Sequence, residues 1–436
     1  MSAIIAIVGR PNVGKSTLFN RLTRSRGALV DDFPGITRDR LYASLSFEGV
    51  PLTLVDTGGF DDLDRDPLVT KVKSQIEAAI EEADRVIFMV DGRQGLLPGD
   101  EAVAELLRRS GKMSLLAVNK LDGPEHDHLT AEFFKLGLKA VYPISAAHGY
   151  GIRDLMEDIV RDIPAHQPES LEGGAVRVAV LGRPNSGKSS LINRILGLDR
   201  LVVSELPGTT RDTVDTPFEY HGRHYLLIDT AGIRRKAKVK EKIEKFSVIK
   251  AIKSLDRCHI AVVLLDAERG IAEQDARICG YALERGRGMV LAVNKWDLVK
   301  GDLRAGKHLD DQIARQLKFL SFVPRLNMSA LTGERVMKLL PKIDQVYDQF
   351  STRVQTSAVN TAIRQVMEKH PPPWTGRGRL KFLYATQVAS RPPTFVLFVN
   401  RPEMIHFSYE RFVVNELRAR LGLELTTIRL KFKKRE

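Results

Sequence analysis

Short apolar runs, each ending at a polar loop rich in glycine, organise most of this chain. Residues 3–8 (AIIAIV) and 176–181 (VRVAVL) are such runs. Behind each loop the apolar positions recur at helical spacing: Leu18, Phe19 and Leu22 in one place, Leu191, Ile192 and Ile195 in the other. Paired strands joined at EGVP and HGRH lead into TLVD and LLID. VIFMVDG, AVVLLDA, LLAVNK and VLAVNK are continuous apolar runs of strand length, the pattern of strands covered on both faces. Strands alternating with helices predict mainly parallel α/β sheets with binding loops at the strand carboxyl ends.

From about residue 351 the pattern changes. Val354, Val359, Ile363, Val366 and Met367 predict a helix, and PPPWTGRGR a turn. LKFLYATQV and PTFVLFVN read as strands around a proline turn. SYERFVVNELRARLG reads as an amphipathic helix stopped at Gly422, and IRLKFKKR as a closing basic strand. The order α-β-β-α-β marks a separate small module. Residues 164–175 (PAHQPESLEGGA) have the proline, glycine and acidic bias of a connector. The expected division is 1–163, a linker at 164–175, 176–350 and 351–436.

The first two parts repeat one another. GRPNVGKS at 9–16 recurs as GRPNSGKS at 182–189, PGITRD at 34–39 as PGTTRD at 207–212, and DTGG at 56–59 as DTAG at 229–232, all at an offset of 173. NKLD at 119–122 recurs as NKWD at 294–297, at an offset of 175. Four ordered motifs at near-constant offset mean two tandem copies of one nucleotide-binding domain.

Composition adds one asymmetry. The chain carries 67 Lys and Arg against 54 Asp and Glu, net +13, but residues 1–163 are −5 and residues 351–436 are +10. That distribution fits a polyanionic partner touching the later parts, or a basic surface with none. Two cysteines, Cys258 and Cys279, make no disulfide framework and suit a reducing compartment. There is no run of about 18 uncharged apolar residues, so no transmembrane helix is expected, and MSAIIAIVGR reads as a strand entering a loop, not a signal peptide.

The motifs carry nucleotide chemistry. In GxxxxGK[ST], Gly9 and Gly14, like Gly182 and Gly187, let the backbone curl so that its N–H groups face phosphate oxygens. The remaining loop positions, Arg10, Pro11, Asn12 and Val13 with Arg183, Pro184, Asn185 and Ser186, belong to the same cradle. Lys15 and Lys188 are placed for the β- and γ-phosphates; Ser16 and Ser189 for Mg²⁺, each followed by a further hydroxyl, Thr17 and Ser190. Asp56 and Asp229, expected at the ends of buried strands, can hold the Mg²⁺ shell. They lead into Thr57, Gly58 and Gly59, and into Thr230, Ala231 and Gly232, where Gly59 and Gly232 can offer an N–H to the γ-phosphate. Thr37 and Thr210 can join the metal when that phosphate is present, a switch made by ordering a loop.

NKxD reads the base. Asp122 and Asp297 can accept hydrogen bonds from guanine N1–H and its exocyclic amine. Adenine offers neither, a discrimination on the order of 10⁴-fold. Asn119 and Asn294 support the loop, the stems of Lys120 and Lys295 can stack on the base, and Ser145–Ala146 and Ser329–Ala330 are placed for guanine O6. Phe60 and Ile233 follow DxxG where many GTPases carry a water-orienting Gln, so intrinsic hydrolysis should be slow or use another device. Asn12 and Asn185 either hold a monovalent cation near the β/γ bridge or simply favour the turn. Arg38 and Arg211 are either structural or stabilise transition-state charge. The segment after the second DxxG is basic (IRRKAKVKEKIEKF) where the first is acidic (FDDLDRDP).

Two such domains followed by a small basic module resemble the bacterial Der (EngA) family of double-Era-like GTPases. The resemblance spans essentially the whole chain and rests on the duplicated motifs, IRRKAKV and the closing PPTFVLFVN…IRLKFKKR. It implies two Ras/Era-like P-loop GTPase domains plus a carboxy-terminal KH-like α/β domain that lacks the RNA-clamping GxxG loop; GRGR does not match that loop. It also implies a cytoplasmic GTPase that uses GTP, GDP and Mg²⁺ and acts in assembly of the large ribosomal subunit on its rRNA. Likeness to potassium-stimulated GTPases adds K⁺ through Asn12 and Asn185. The catalytic set is then Lys15, Thr37, Lys188 and Thr210 with those asparagines. The chain is read as a monomer without a membrane partner, with room for a regulatory protein. The rival readings are a protein- or membrane-directed switch without RNA, and a chain in which one GTPase copy only senses nucleotide.

Overall fold

The fold is taken from a computed structural model, which describes residues 2–24, 42–57, 76–77, 79–138, 140–163, 174–197, 215–229, 248–371 and 380–434. In the first domain the elements are β1 (Ala3–Val8), α1 (Lys15–Arg24), β2 (Tyr42–Phe47), β3 (Val50–Asp56), β4 (Arg85–Asp91), α2 (Pro98–Ser110), β5 (Ser114–Asn119), β6 (Val141–Pro143) and α3 (Ile152–Val160). They form a six-stranded sheet in the order β2-β3-β1-β4-β5-β6. Only the β2–β3 pair is antiparallel.

The second domain repeats this order: β7 (Val176–Gly182), α4 (Lys188–Leu196), β8 (Thr216–Tyr220), β9 (Arg223–Leu227), α5 (Val248–Arg257), β10 (Ile260–Asp266), α6 (Glu273–Glu284), β11 (Gly288–Asn294), α7 (Leu303–Gln316), β12 (Arg325–Asn327) and α8 (Leu339–Ser351). Its sheet runs β8-β9-β7-β10-β11-β12. The copies diverge after β5 and β11. A 3₁₀ segment, Pro124–Leu136, stands in the first domain where the second has α7, whose first turn is capped by Asp302 accepting from the N–H groups of Arg304 and Ala305 at 2.8 and 3.1 Å.

The central strands are apolar throughout because helices cover both faces. β10 and β11 are buried at every residue. The apolar stripe of α4, Leu191, Ile192 and Ile195, enters a core with Val178, Val180, Leu264 and Val290. Its counterpart on α1 meets Ile5, Ile7 and Leu54.

The third module is α9 (Thr356–Lys369), β13 (Phe382–Ser390), β14 (Pro393–Val399), α10 (Phe407–Arg420) and β15 (Arg429–Lys434). Both helices cover one face of a three-stranded sheet, with Val359, Ile363 and Val366 against Ala385, Phe395, Leu397, Val413 and Leu417. β13 and β14 are antiparallel, β14 and β15 parallel.

The described residues up to 163 form one compact unit, and those from 174 onward another, so the second GTPase domain and the third module share a body. Their joint is built from specific contacts. Thr427 Oγ1 donates to the Arg287 carbonyl at 3.1 Å, Arg429 Nη2 to the Glu284 carbonyl at 2.6 Å, and the Leu425 N–H to Gln349 at 2.7 Å. The Arg418 guanidinium lies 3.8 Å from the centre of the Phe322 ring, and burial lowers its pKa to about 10. Gly286, at φ 65°, sits where a Cβ would meet Arg429 Nε and Pro392 Cγ at 2.8 Å, so only glycine lets the turn approach this closely.

His259, at the start of β10, is fully buried. Its Nδ1 accepts the Arg177 N–H at 3.0 Å, so the ring is neutral with its proton on Nε2. Burial, helped by Arg177, Arg391 and Arg287, pushes its pKa down to about 3. Between that value and the ordinary 6.5 the unfolded chain binds the extra proton, so this stability is present above about pH 6.5 and is lost on acidification. Thermal melts should therefore show a larger drop from pH 7.5 to pH 5 in the wild type than in a His259→Gln variant, with His259 accounting for about 2 kcal/mol of the loss.

Candidate guanine-nucleotide sites

Each phosphate loop turns tightly because its glycines have no Cβ. A Cβ on Gly14, at φ 102°, would lie 2.2 Å from Asn119 Nδ2, and one on Gly187, at φ 97°, 2.2 Å from Asn294 Nδ2. The reason is a shared hydrogen-bond bridge. Asn119 Nδ2 donates to the Val13 carbonyl at 2.7 Å while its Oδ1 accepts the Ala146 N–H at 2.8 Å. Asn294 does the same with the Ser186 carbonyl and the Ala330 N–H, both at 2.8 Å. One buried carboxamide thus ties the phosphate loop, the NKxD loop and the loop after β6 or β12 together.

Lys15 Nζ donates to the Gly9 and Arg10 carbonyls at 3.0 and 2.8 Å, and Lys188 Nζ to those of Gly182 and Arg183 at 3.1 and 2.7 Å. Both ammonium groups therefore lie inside the curl. Ser16 and Ser189 are half-buried in the first turns of α1 and α4, while Thr17 and Ser190 face outward. Asn12 and Asn185 are exposed and left-handed, at φ 64° and 62°, a conformation asparagine tolerates; that favours the turn role and leaves both carboxamides open to the site.

The side chains of Arg10 and Arg183 do not face the cradle. Arg10 Nε donates to the fully buried Asp100 at 2.8 Å, and Arg183 Nε to the fully buried Asp275 at 2.9 to 3.0 Å. Those carboxylates also accept the N–H groups of Leu97 and Ala272, at the amino ends of α2 and α6. Burial raises the Asp275 carboxyl above its usual range, opposed by the Ala272 N–H and Arg183. The arginines anchor their loops from behind. Arg21 and Arg194 act similarly on the other side, donating to the carbonyls of Ala146 and Ala147 and of Ala330 and Leu331.

The two copies differ at the carboxylates. Asp56 ends β3 and is buried, and Thr57 Oγ1 donates to the Ile7 carbonyl at 2.8 Å. Asp229 does not end a strand: β9 stops at Leu227, and Asp229 is exposed and left-handed, at φ 58°. Its N–H donates to Asp215 at 3.0 Å, and Asp215 in turn accepts from Arg257. The first copy has Tyr42 in place of Asp215, so it lacks this carboxylate and its strand continues. Although Asp229 is exposed overall, its carboxyl is turned inward toward Ser254, Lys250 and Arg257, and loss of water around that group raises its pKa, which the two cations oppose.

The base-reading aspartates differ as well. Asp122 accepts from Ser145 Oγ at 2.8 Å and from Arg93 Nη2 at 2.5 Å, and these hold its carboxyl below the usual range, Ser145 foremost. Asp297 Oδ1 is buried with no hydrogen-bond partner among the described residues, and the residue matching Arg93 is Glu268. Lys120 and Lys295 pair instead with Asp91 and Asp266 beneath the base position. The acceptor at the second site is uncommitted among the described residues, whereas at the first it is already held by Arg93 and Ser145.

Thr37, Thr210, Gly58, Gly59, Thr230, Ala231 and Gly232 lie outside the described residues, as do Arg38, Arg211, Phe60, Ile233, the GRGR turn, the basic segment from Arg234 and most of the connector at 164–175. Sequence reasoning missed Arg93, Asp215, the Arg10–Asp100 and Arg183–Asp275 anchors, and Arg21 with Arg194. The duplication held a signal for two of these sets, since Asp100 and Asp275 repeat at the 175 offset and Arg21 and Arg194 at 173.

A glycine-rich phosphate-loop motif tied to an Asn-Lys-x-Asp loop, present twice, is the arrangement of a double P-loop GTPase. Residues 4–120 and 177–295 match the family model described as 50S ribosome-binding GTPase, and residues 353–433 the one described as KH-domain-like of EngA bacterial GTPase enzymes, C-terminal. The chain is 50% identical to GTPase Der of Syntrophobacter fumaroxidans, covering 99% of this chain and 98% of that one. It is 48% identical to GTPase Der of Caldanaerobacter subterraneus subsp. tengcongensis, covering 99% of each. Among solved structures, Era in complex with MgGDPNP and nucleotides 1506–1542 of 16S ribosomal RNA is 20% identical, with a TM-score of 0.30 over 60% of this chain and 93% of that one. The chain belongs to the Der family of GTPases. It binds GTP and GDP and hydrolyses GTP to GDP and phosphate.

Replacing Asn119 by Ala should destabilise the first domain by about 2–3 kcal/mol in urea denaturation, because two buried backbone groups lose their partner. Arg93→Ala, in a chain whose second site is disabled by Asp297→Asn, should bind fluorescent GDP two- to fivefold more tightly, roughly the worth of an exposed ion pair.

Proposed function

We propose that this GTPase is a cytoplasmic, monomeric switch acting in assembly or stability of the large (50S) ribosomal subunit, with the rRNA of that particle as its principal partner. The observation that carries this reading is the joint between the second GTPase domain and the basic third module. A nucleotide-dependent domain is in direct contact, through Glu284, Arg287 and Gln349, with a module of net charge +10. Charge of that sign and density suits a phosphate backbone. No helix among the described residues is long and apolar enough to cross a membrane. The division into 1–163, 164–175, 176–350 and 351–436 is part of the proposal.

Hydrolysis transfers the γ-phosphoryl group to water, and such chemistry relies on positioning and charge stabilisation. The loop N–H groups of 9–16 and 182–189 hold the phosphates, and Lys15 and Lys188 withdraw from their loop carbonyls onto the β- and γ-oxygens. Asp122 and Asp297 hold guanine. Ser16 with Asp56, and Ser189 with Asp229, offer the hydroxyl and carboxylate oxygens that suit Mg²⁺; in the second site Asp229 must first leave Asp215. Bound Mg²⁺ would neutralise charge on the phosphate oxygens. Thr37 and Thr210 join each site when the γ-phosphate is present. Asn12 and Asn185 are oriented by loops that also suit K⁺ near the β/γ bridge, and turnover without a water-orienting Gln is slow.

Co-sedimentation with large ribosomal subunits, comparing a GTP analogue with GDP across a salt series, tests the switch. Nucleotide-dependent and salt-sensitive binding is expected; equal binding in both nucleotide states would overturn it. Asp122→Asn and Asp297→Asn, made singly, should each weaken GTP binding at their own site on the order of 100-fold and each lower total turnover. Loss in only one variant would assign the other site a sensing role.

A further inference from the structure

We propose that the face of the third module's sheet opposite its two described helices is a single-stranded RNA platform, with Tyr384 as a base-stacking surface and Lys431 and Lys433 as phosphate contacts. This rests on the ribosomal-RNA reading above and gives it a location.

The strand register places the residues. Tyr384 is opposite Phe398, which is opposite Lys433; one step along, Thr386, Val396 and Lys431 form the next row, with Val396 buried and Lys431 exposed. Ala385, Leu397 and Phe432 alternate with these and point into the helix-covered core, so the Tyr384 rows lie on the other face. The Tyr384 and Phe398 rings are stacked at 4.3 Å with an interplanar angle of 12°. Phe398 holds one face of the tyrosine ring while the residue stays 42% exposed. That rigid, half-open ring costs little to order on binding. Lys431 and Lys433 are exposed on β15, two strands and roughly 10 Å across the sheet from Tyr384, and about 7 Å apart along their strand, close to the separation of successive phosphates in an extended single strand. The opposite end of the face is already used, where Arg429 and Pro392 meet the second GTPase domain.

Charge and edge geometry favour RNA over a peptide. The module carries 16 Lys and Arg against 6 Asp and Glu. A peptide strand would need a regular open edge, but β13 has register shifts at Phe382/Tyr384 and Gln387/Ala389, and β15 is laced with lysine. An aromatic face flanked by cations is the arrangement that binds unpaired bases without sequence preference, since each base has a π face. A duplex hides its bases and cannot use Tyr384.

The test uses the full chain, a fluorescein-labelled ten-nucleotide single-stranded RNA, the same RNA as a duplex, and large ribosomal subunits. Tyr384→Ala should weaken single-strand binding roughly tenfold and duplex binding little, while Tyr384→Phe binds as wild type. Lys431→Ala and Lys433→Ala should each make the slope of log K against log salt shallower by about 0.7. GTP turnover should be unchanged in all four. A Tyr384→Ala chain that melts with the wild type and binds single-stranded RNA equally well overturns the proposal, as does tighter binding to the duplex. Should Tyr384→Ala melt early, unchanged salt slopes in both lysine variants overturn it instead. Wild-type chain that ignores ribosomal subunits sinks the ribosomal reading, and subunit binding that survives all the alanine variants sinks the platform alone.

Discussion

Both nucleotide sites depend on one buried carboxamide. Asn119 or Asn294 reaches across the carboxyl ends of the strands and fastens the phosphate loop to the loops that read the base. The distance between guanine and phosphate sites is thereby set before any nucleotide arrives. The constraint spreads outward: Gly14 and Gly187 must be glycine because the carboxamide occupies the space of their Cβ. Arg10 and Arg183 brace the same loops from behind, against carboxylates that would be costly to bury without a cation. The two arginines of the phosphate loops are turned to the buried carboxylates, while Lys15 and Lys188 stay inside the curl.

On this shared frame the copies have drifted in their reporting parts. The first site carries Arg93 on its base-reading aspartate and keeps Asp56 at the strand end. The second leaves Asp297 uncommitted and holds the Asp229 backbone on an Asp215–Arg257 pair. Each difference trades one charged contact against the nucleotide's own. The two sites therefore start from different electrostatic positions although their motifs read alike. The second also has a physical outlet that belongs to its own compact unit, the joint at Gly286, Arg287 and Glu284.

Much of this was legible in the chain. Continuous apolar runs in β10 and β11 announced strands covered on both sides, and the helical stripes at Leu18 and Leu191 found the cores they predicted. The order α-β-β-α-β was readable because β14 is an apolar run of strand length, buried at nearly every residue, and β13 alternates around Ala385 to Gln387. Motif residues were legible because phosphate and guanine demand particular side chains at particular spacings. Less legible were residues whose partners lie far along the chain: Arg10 with Asp100, Arg93 with Asp122, and Arg257 with Asp215. An ion pair has no periodicity, and a guanidinium reaches any carboxylate the fold brings near.

The sequence by itself determined two guanine-nucleotide sites, their sheet type and the basic character of the third module, since each follows from local residue chemistry or from spacing along one element. Only the tertiary structure decided that the Arg10 and Arg183 side chains brace their loops against Asp100 and Asp275. It alone also decided that Asp229 departs from the position of Asp56, and that Tyr384, Phe398 and Lys433 stand in one row. Those outcomes rest on which distant groups meet at hydrogen-bonding or stacking distance, and that is set by packing and register across strands.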